Sequence, residues 1–382
     1  MRVLKYVIMA LTLLNIPSII FFEVSPAISS VLSYGTYALL IVFFILEKGS
    51  KPNMWLLILG LTFFTIAGIN FYAGEESEYF ITFVKYIITI VCGSALVKKI
   101  TPNEIFIFLF IGALSIFINA AIFPSKFGRY SGLYVNANLA GFIAVIAYSL
   151  TFRIKRFSIR TILQVLITLA GIFTFSRTFI LIWVLLNLIS LKINIKNIRI
   201  LAIGVGLLLL LSFFGSVFKL NTTRLKQFTA VINSEEGAIT QANEASRTET
   251  WALYYDAILE NPFFGNGYNS FQKIGLHSVS IHNNYLLFLG EAGLVPFLIF
   301  LGLSIYLLYM GYKLFDLAPY LLLQAIAFFL FMLTFHNFLT TDAVLVLTLW
   351  MFYQIKTLRK QKQDALLEDD PQSDLDPYPQ IP

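Results

Sequence analysis

Residues 246–296 read SRTETWALYYDAILENPFFGNGYNSFQKIGLHSVSIHNNYLLFLGEAGLVP, and the first half of this stretch is the only substantial polar region in a chain otherwise built for lipid. Of the 382 residues, 58% are hydrophobic, 16% aromatic and only 13% charged, which excludes an ordinary soluble enzyme and defines an integral membrane protein. Within the stretch, His282 falls where the polar loop meets the next apolar segment, and Arg247 lies upstream of it. A titratable imidazole, an arginine and a membrane surface together make a candidate site for a lipid-linked substrate.

On either side of this loop the chain divides into apolar runs of the roughly 20 residues that a transmembrane helix needs. About twelve such spans are expected, near 3–22, 27–46, 54–72, 79–97, 104–122, 134–152, 161–176, 178–191, 198–217, 283–310, 317–336 and 341–356. The fold class is therefore an all-α polytopic membrane protein, with one transmembrane domain over 1–364 and a large loop at 218–281 between the ninth and tenth spans. The acidic, proline-containing segment 365–382 reads as a disordered tail. The first apolar run is too long for a signal peptide and reads as a retained span. No internal repeat stands out, and the single cysteine, Cys92, excludes an intrachain disulfide framework.

The net charge of +6 carries orientation, not a nucleic-acid signal, because the basic residues cluster in alternate loops. With the N-terminus inside, most of the 27 basic residues fall on inside segments, among them Arg2 and Lys5, Lys48 and Lys51, Lys98 and Lys99, Arg153 to Arg160, and Lys356 to Lys362. Both termini are then cytoplasmic and the 218–281 loop faces outward. Lys126, Arg129 and Arg177 break the charge pattern on short outer loops, where function is most able to override topology. A guanidinium suits phosphate, offering a fixed fork of donors that stays charged; snorkelling to lipid headgroups is the competing reading. Lys85, inside the fourth span, either snorkels or faces a polar cavity.

In the outer loop, Ser246 and Glu249 have capping-box spacing, and Trp251, Tyr254, Tyr255, Ile258 and Leu259 recur at helical intervals up to Asn261-Pro262. An amphipathic helix lying on the membrane or over a cavity mouth is expected, with Arg247 on the face of Trp251. His277 reads as an exposed loop residue. His336 and His282 each end a span, and each is either a satisfied interfacial histidine or a functional one; His282, with Asn283 beside it, is favoured as a base because the Arg247 loop leads into it. Glu291 is expected to face away from His282 in a structural role. No Gly-rich nucleotide loop, Cys/His cluster or acidic pair is present, so no cofactor or metal is expected.

Three blocks resemble the O-antigen ligase and O-antigen polymerase family of bacterial membrane glycosyltransferases: Arg129-Tyr130-Ser131-Gly132 with Asn136-Ala137-Asn138; Ser176-Arg177-Thr178-Phe179-Ile180-Leu181; and Arg247 through Pro262-Phe263-Phe264-Gly265-Asn266-Gly267 to His282-Asn283 and Gly293. The resemblance implies a GT-C type fold in the bacterial cytoplasmic membrane with its active site on the outer face. The implied donor is a glycan on undecaprenyl diphosphate, transferred without a metal to lipid A-core or to a second lipid-linked glycan. By motif position Arg177 and Arg247 would hold the diphosphate and His282 would activate the acceptor hydroxyl; Arg129 is a further candidate for the diphosphate, and Lys126, Asn283 and His336 are candidate supporting residues. Ligase and polymerase both remain open: Arg177 with Leu181, and His282-Asn283 with Gly293, fit the ligase pattern, but Pro296 stands where a glycine or small polar residue is usual. A polymerase would bring a chain-length regulator as a partner. A flippase or exporter of lipid-linked sugars, with the same arginines binding diphosphate without chemistry, is the rival from another class.

Overall fold

The computed structural model describes residues 1–69, 71, 76–122, 129–214, 247–272 and 275–368, and the described residues are helical throughout their regular structure. Lys126, Ser246 and the tail beyond 368 lie outside them. The helices are α1 (Arg2–Leu13), α2 (Ile16–Glu23), α3 (Pro26–Leu46), α4 (Met54–Ile69), α5 (Glu76–Val97), α6 (Pro102–Ile122), α7 (Ala137–Leu150), α8 (Phe157–Phe173), α9 (Arg177–Ser190), α10 (Ile198–Phe214), α11 (Arg247–Ala252), α12 (Tyr255–Glu260), α13 (Asn284–Ala292), α14 (Leu294–Lys313), α15 (Pro319–Met332) and α16 (Asp342–Glu368). Four of them, α3, α5, α6 and α14, are long and apolar enough by themselves to cross a membrane, and α1 with α2 passes the same length and composition test only as a pair, bent by 55° at its break. The bend interrupts the run expected at 3–22. Asn15 takes a left-handed backbone (φ 54), and Pro17, which has no N–H to give to the helix ladder, opens α2.

Lipid supplies no partners for backbone N–H and C=O groups, so closed helical ladders are the way this composition can cross it. Side chains such as Val31, Ile45, Ile107, Ile118 and Ile305 stay exposed on the outer surface, where a water-soluble fold would bury them. Inside, α7 is buried along its whole length and packs on α6, α8, α9 and α15. Its small residues, Ala140, Gly141, Ala144 and Ala147, permit this close approach. Two ion pairs, Lys5 with Glu104 (2.5 Å) and Lys99 with Glu47 (2.8 Å), join segments that the charge pattern assigns to one side. Arg129, Arg177 and His282 gather toward the opposite ends of the helices. α16 continues through Glu368, past the boundary expected at 364.

The expected single amphipathic helix over 247–260 is two short helices, α11 and α12, parted at Leu253-Tyr254. The break lets Tyr254 turn inward: it is fully buried, stacks on Phe271 at 4.5 Å and donates a hydrogen bond to the Val279 carbonyl. Tyr255 and Leu259, expected on the same face, are exposed, as are Phe263 and Phe264. His277 is half-buried, edge-on to Tyr254 at 4.8 Å, and not simply exposed.

The Pro262–Gly267 segment docks on the junction between α13 and α14. Asn266 N–H donates to the Gly290 carbonyl (2.7 Å) and Gly267 N–H to that of Glu291 (3.0 Å). Glu291 is buried and accepts from Phe271 N–H (3.2 Å), the structural role expected of it. Gly293 adopts φ 78, and a Cβ there would run into the Phe263 carbonyl. Gly293→Ala is therefore expected to destabilise the protein by about 2 kcal/mol or more, read as a lowered melting temperature of the detergent-purified protein; a control such as Gly302→Ala, where nothing lies within 4 Å of the added carbon, should not do this.

Candidate active site

The site is assembled at helix ends. α9 begins abruptly because Phe175 turns the chain through a left-handed conformation (φ 47) and Ser176 caps the new helix, accepting from Phe179 N–H at 3.3 Å. The first four N–H groups of a helix lack partners within it and carry partial positive charge, so such an end attracts anions. Arg177 occupies the first position of α9 with an exposed side chain.

Two other arginines arrive at the same end from distant parts of the chain. Arg129 donates from Nη2 to Asn138 Oδ1 (2.8 Å) and from Nε to the Thr174 carbonyl (3.4 Å). The same Asn138 oxygen accepts from Ser176 Oγ at 3.0 Å, so one amide ties the loop before α7 to the cap of α9. Asn136 in turn caps α7, accepting from Asn138 N–H and Leu139 N–H. Arg247 reaches across from α11 and donates from Nη1 to Thr178 Oγ1 at 3.1 Å. The three predicted arginines therefore bracket one helix end, and the oxygens of Asn138, Thr174 and Thr178 help to orient two of them.

His282 sits in the loop before α13, in a left-handed backbone conformation (φ 49) that a non-glycine residue seldom adopts and that tends to mark functional turns. Trp251 Nε1 donates to the neighbouring Ile281 carbonyl (3.0 Å), tying α11 and its arginine to this loop. The imidazole keeps an open face. Surrounding protein and then the Arg247 charge both disfavour the imidazolium, holding the group below its ordinary range. A neutral imidazole is the form that accepts a proton. The ring of His336 lies edge-on to it, 4.4 Å between centroids.

Asn283, a predicted supporting residue, is buried and caps α13, accepting from Tyr285 and Leu286 N–H at 2.9 and 3.2 Å. Asn284 links the two histidine loops, donating to Met332 Sδ and accepting from Phe338 N–H. Asn138, Ser176 and Thr178 have no role in the sequence reading beyond marking motifs; the cap position of Ser176 before an apolar run is the available signal. Asp342 was missed as well, although an acid at the head of a predicted span is itself a flag. Among the described residues, no group of three or more His, Cys, Asp or Glu side chains is placed to hold a metal ion.

Cationic side chains are thus gathered at one helix end, beside an imidazole whose surroundings favour its neutral form. Residues 161–301 match the O-antigen ligase family. The matched segment carries Arg177, Arg247 and His282; Arg129 and His336 lie outside it. No curated protein sequence gives a significant match to the chain.

Removing the Arg247 charge should raise the pKa of His282, since a neighbouring cation penalises the protonated ring. In Arg247→Gln, NMR titration of labelled histidine is expected to show His282 becoming protonated at higher pH than in the parent protein.

Proposed function

We propose that the protein is a metal-independent, inverting glycosyltransferase of surface polysaccharide biosynthesis, acting at the outer face of the bacterial cytoplasmic membrane. About twelve spans in a GT-C type arrangement carry it, with both termini cytoplasmic and the 218–281 loop outside. The observation that carries the reading is the convergence of Arg129, Arg177 and Arg247 on the start of α9, with His282 near enough to Arg247 to feel its charge.

In this reading the arginines and the α9 N–H groups bind the diphosphate of an undecaprenyl-diphosphate-linked glycan. His282 takes the proton of an acceptor hydroxyl as its oxygen bonds to the anomeric carbon of the donor from the face opposite the diphosphate. The bond from that carbon to the diphosphate oxygen breaks, and the arginines hold the negative charge that develops on the leaving group. Holding the imidazole neutral keeps the base ready, while the same arginine charge serves the leaving group. The exposed apolar side chains of Leu253, Tyr255, Leu259, Phe263 and Phe264 would seat α11 and α12 in the lipid interface, where a polyprenyl chain would enter.

Alanine at Arg177, Arg247 or His282 is expected to reduce glycan transfer by about 100-fold or more while protein levels and melting temperature hold; wild-type transfer in all three variants would sink the proposal. The acceptor separates the two branches of the family. In a deletion strain, loss of all capped lipid A-core identifies a ligase, and core carrying a single repeat unit identifies a polymerase.

A further inference from the structure

A second polar region lies beside the histidine pair. A cavity of about 550 Å³, within the range of small-molecule sites, is lined by Tyr37, Lys85, Gln272, His336, Asn337 and Asp342; none of the three arginines lines it. Charged groups at this depth are costly, and they persist where they bind or react. Lys85 comes from the middle of α5 and Asp342 from the head of α16, and each is held in place. Tyr37 OH lies 3.0 Å from both Asp342 carboxylate oxygens, and Thr89 Oγ1 3.3 Å from one. Lys85 Nζ donates to Ser33 Oγ at 3.1 Å and sits over the rings of Tyr34 and Tyr37 at 5.0 and 5.4 Å.

These groups do not fill their space as a packed structural ion pair would. Asp342 is only half-buried although helices surround it, and its open surface is the cavity wall. An ammonium has three donors, and the bond to Ser33 uses one. His336 Nδ1 is buried without a hydrogen-bond partner among the described residues. The wall therefore holds donors and acceptors ready for a guest.

The charge of the cavity defines that guest. Lys85 is offset by Asp342, and Glu78 and Glu291 also reach the wall, so the cavity lacks the positive excess that a diphosphate requires. Interspersed carboxylate, ammonium, amide and hydroxyl groups beside the rings of Phe64 and Tyr268 suit a neutral saccharide, whose hydroxyls both donate and accept and whose C–H faces pack on aromatic rings. His336 lines the cavity and touches the ring of His282. A sugar held there would present a hydroxyl toward the base, while the arginines keep the donor diphosphate outside the cavity.

We propose that this cavity is the saccharide subsite for the acceptor glycan, with Lys85 and Asp342 as specificity-determining residues; the inference rests on the glycosyltransferase reading above. The test uses full-length protein in nanodiscs. In the His282→Ala background, which binds without turnover, saturation-transfer NMR with maltotriose, cellotriose and chitotriose probes the cavity, and inorganic pyrophosphate probes the arginine site. At least one trisaccharide is expected to bind at millimolar concentration. Its affinity should fall about ten-fold in Asp342→Asn or Lys85→Met, the loss of one charge-assisted hydrogen bond, and it should be excluded by Thr340→Trp on the exposed rim. Pyrophosphate binding should be unchanged by those variants and lost in Arg247→Ala. With His282 present, Asp342→Asn should raise the acceptor KM about ten-fold and leave kcat and donor KM within about two-fold. Absence of trisaccharide binding, equal binding to the Thr340→Trp protein, or an equal rise in donor KM would overturn the subsite. If alanine at Arg177, Arg247 and His282 stops transfer while the cavity variants leave acceptor KM unchanged, only the subsite fails; if transfer survives those three alanines, the glycosyltransferase reading itself fails.

Discussion

The structure depends on one constraint: inside lipid, each backbone N–H and C=O must find its partner within the protein. Long helices meet it along their length, and the penalty is concentrated wherever a helix stops. This chain stops its helices near one face with side-chain caps, Asn136 for α7, Ser176 for α9 and Asn283 for α13. These interruptions are where polar side chains can be placed at the membrane boundary without leaving the backbone unpaired. The candidate site is built from them, and its arginines inherit fixed positions from the same turns.

Holding several cations together also demands partners that fix their positions. Asn138 does this with a single oxygen, accepting from both Arg129 and Ser176, so that the position of one arginine is coupled to the geometry of the α9 cap. Thr178, two residues beyond the Ser176 cap, plays a similar part for Arg247. At the other ends of the helices Lys5 meets Glu104 and Lys99 meets Glu47.

Much of this was legible in the sequence, and the limits have physical causes. Composition and the spacing of basic residues give a helical membrane protein with His282, Arg177 and Arg247 on one face, because those signals are local and periodic. The break at Leu253-Tyr254 was not legible: the intervals from Trp251 to Leu259 fit one continuous helix, and only the stacking of Tyr254 on Phe271 and its bond to the Val279 carbonyl favour the turn. The bend after Leu13 follows from Asn15 and Pro17, but a hydropathy count passes over it. Lys85 reads in the sequence as an intramembrane charge that either snorkels or faces a polar cavity, and Asp342, 257 positions away, comes to the same cavity only through folding. Asn138 is the clearest case: its motif was visible, and its chemistry, two hydrogen bonds converging on one oxygen, was not.

The central claim is that this arrangement of arginines and imidazole performs glycosyl transfer and does not merely grip a lipid diphosphate. Purified protein in liposomes, supplied with an undecaprenyl-diphosphate-linked glycan and an acceptor on the same leaflet, tests it directly by mass spectrometry of the lipids. Elongated acceptor and free undecaprenyl diphosphate are expected in equal amounts, both absent with the His282→Ala protein. Movement of the intact donor to the opposite leaflet with no product formed would contradict it.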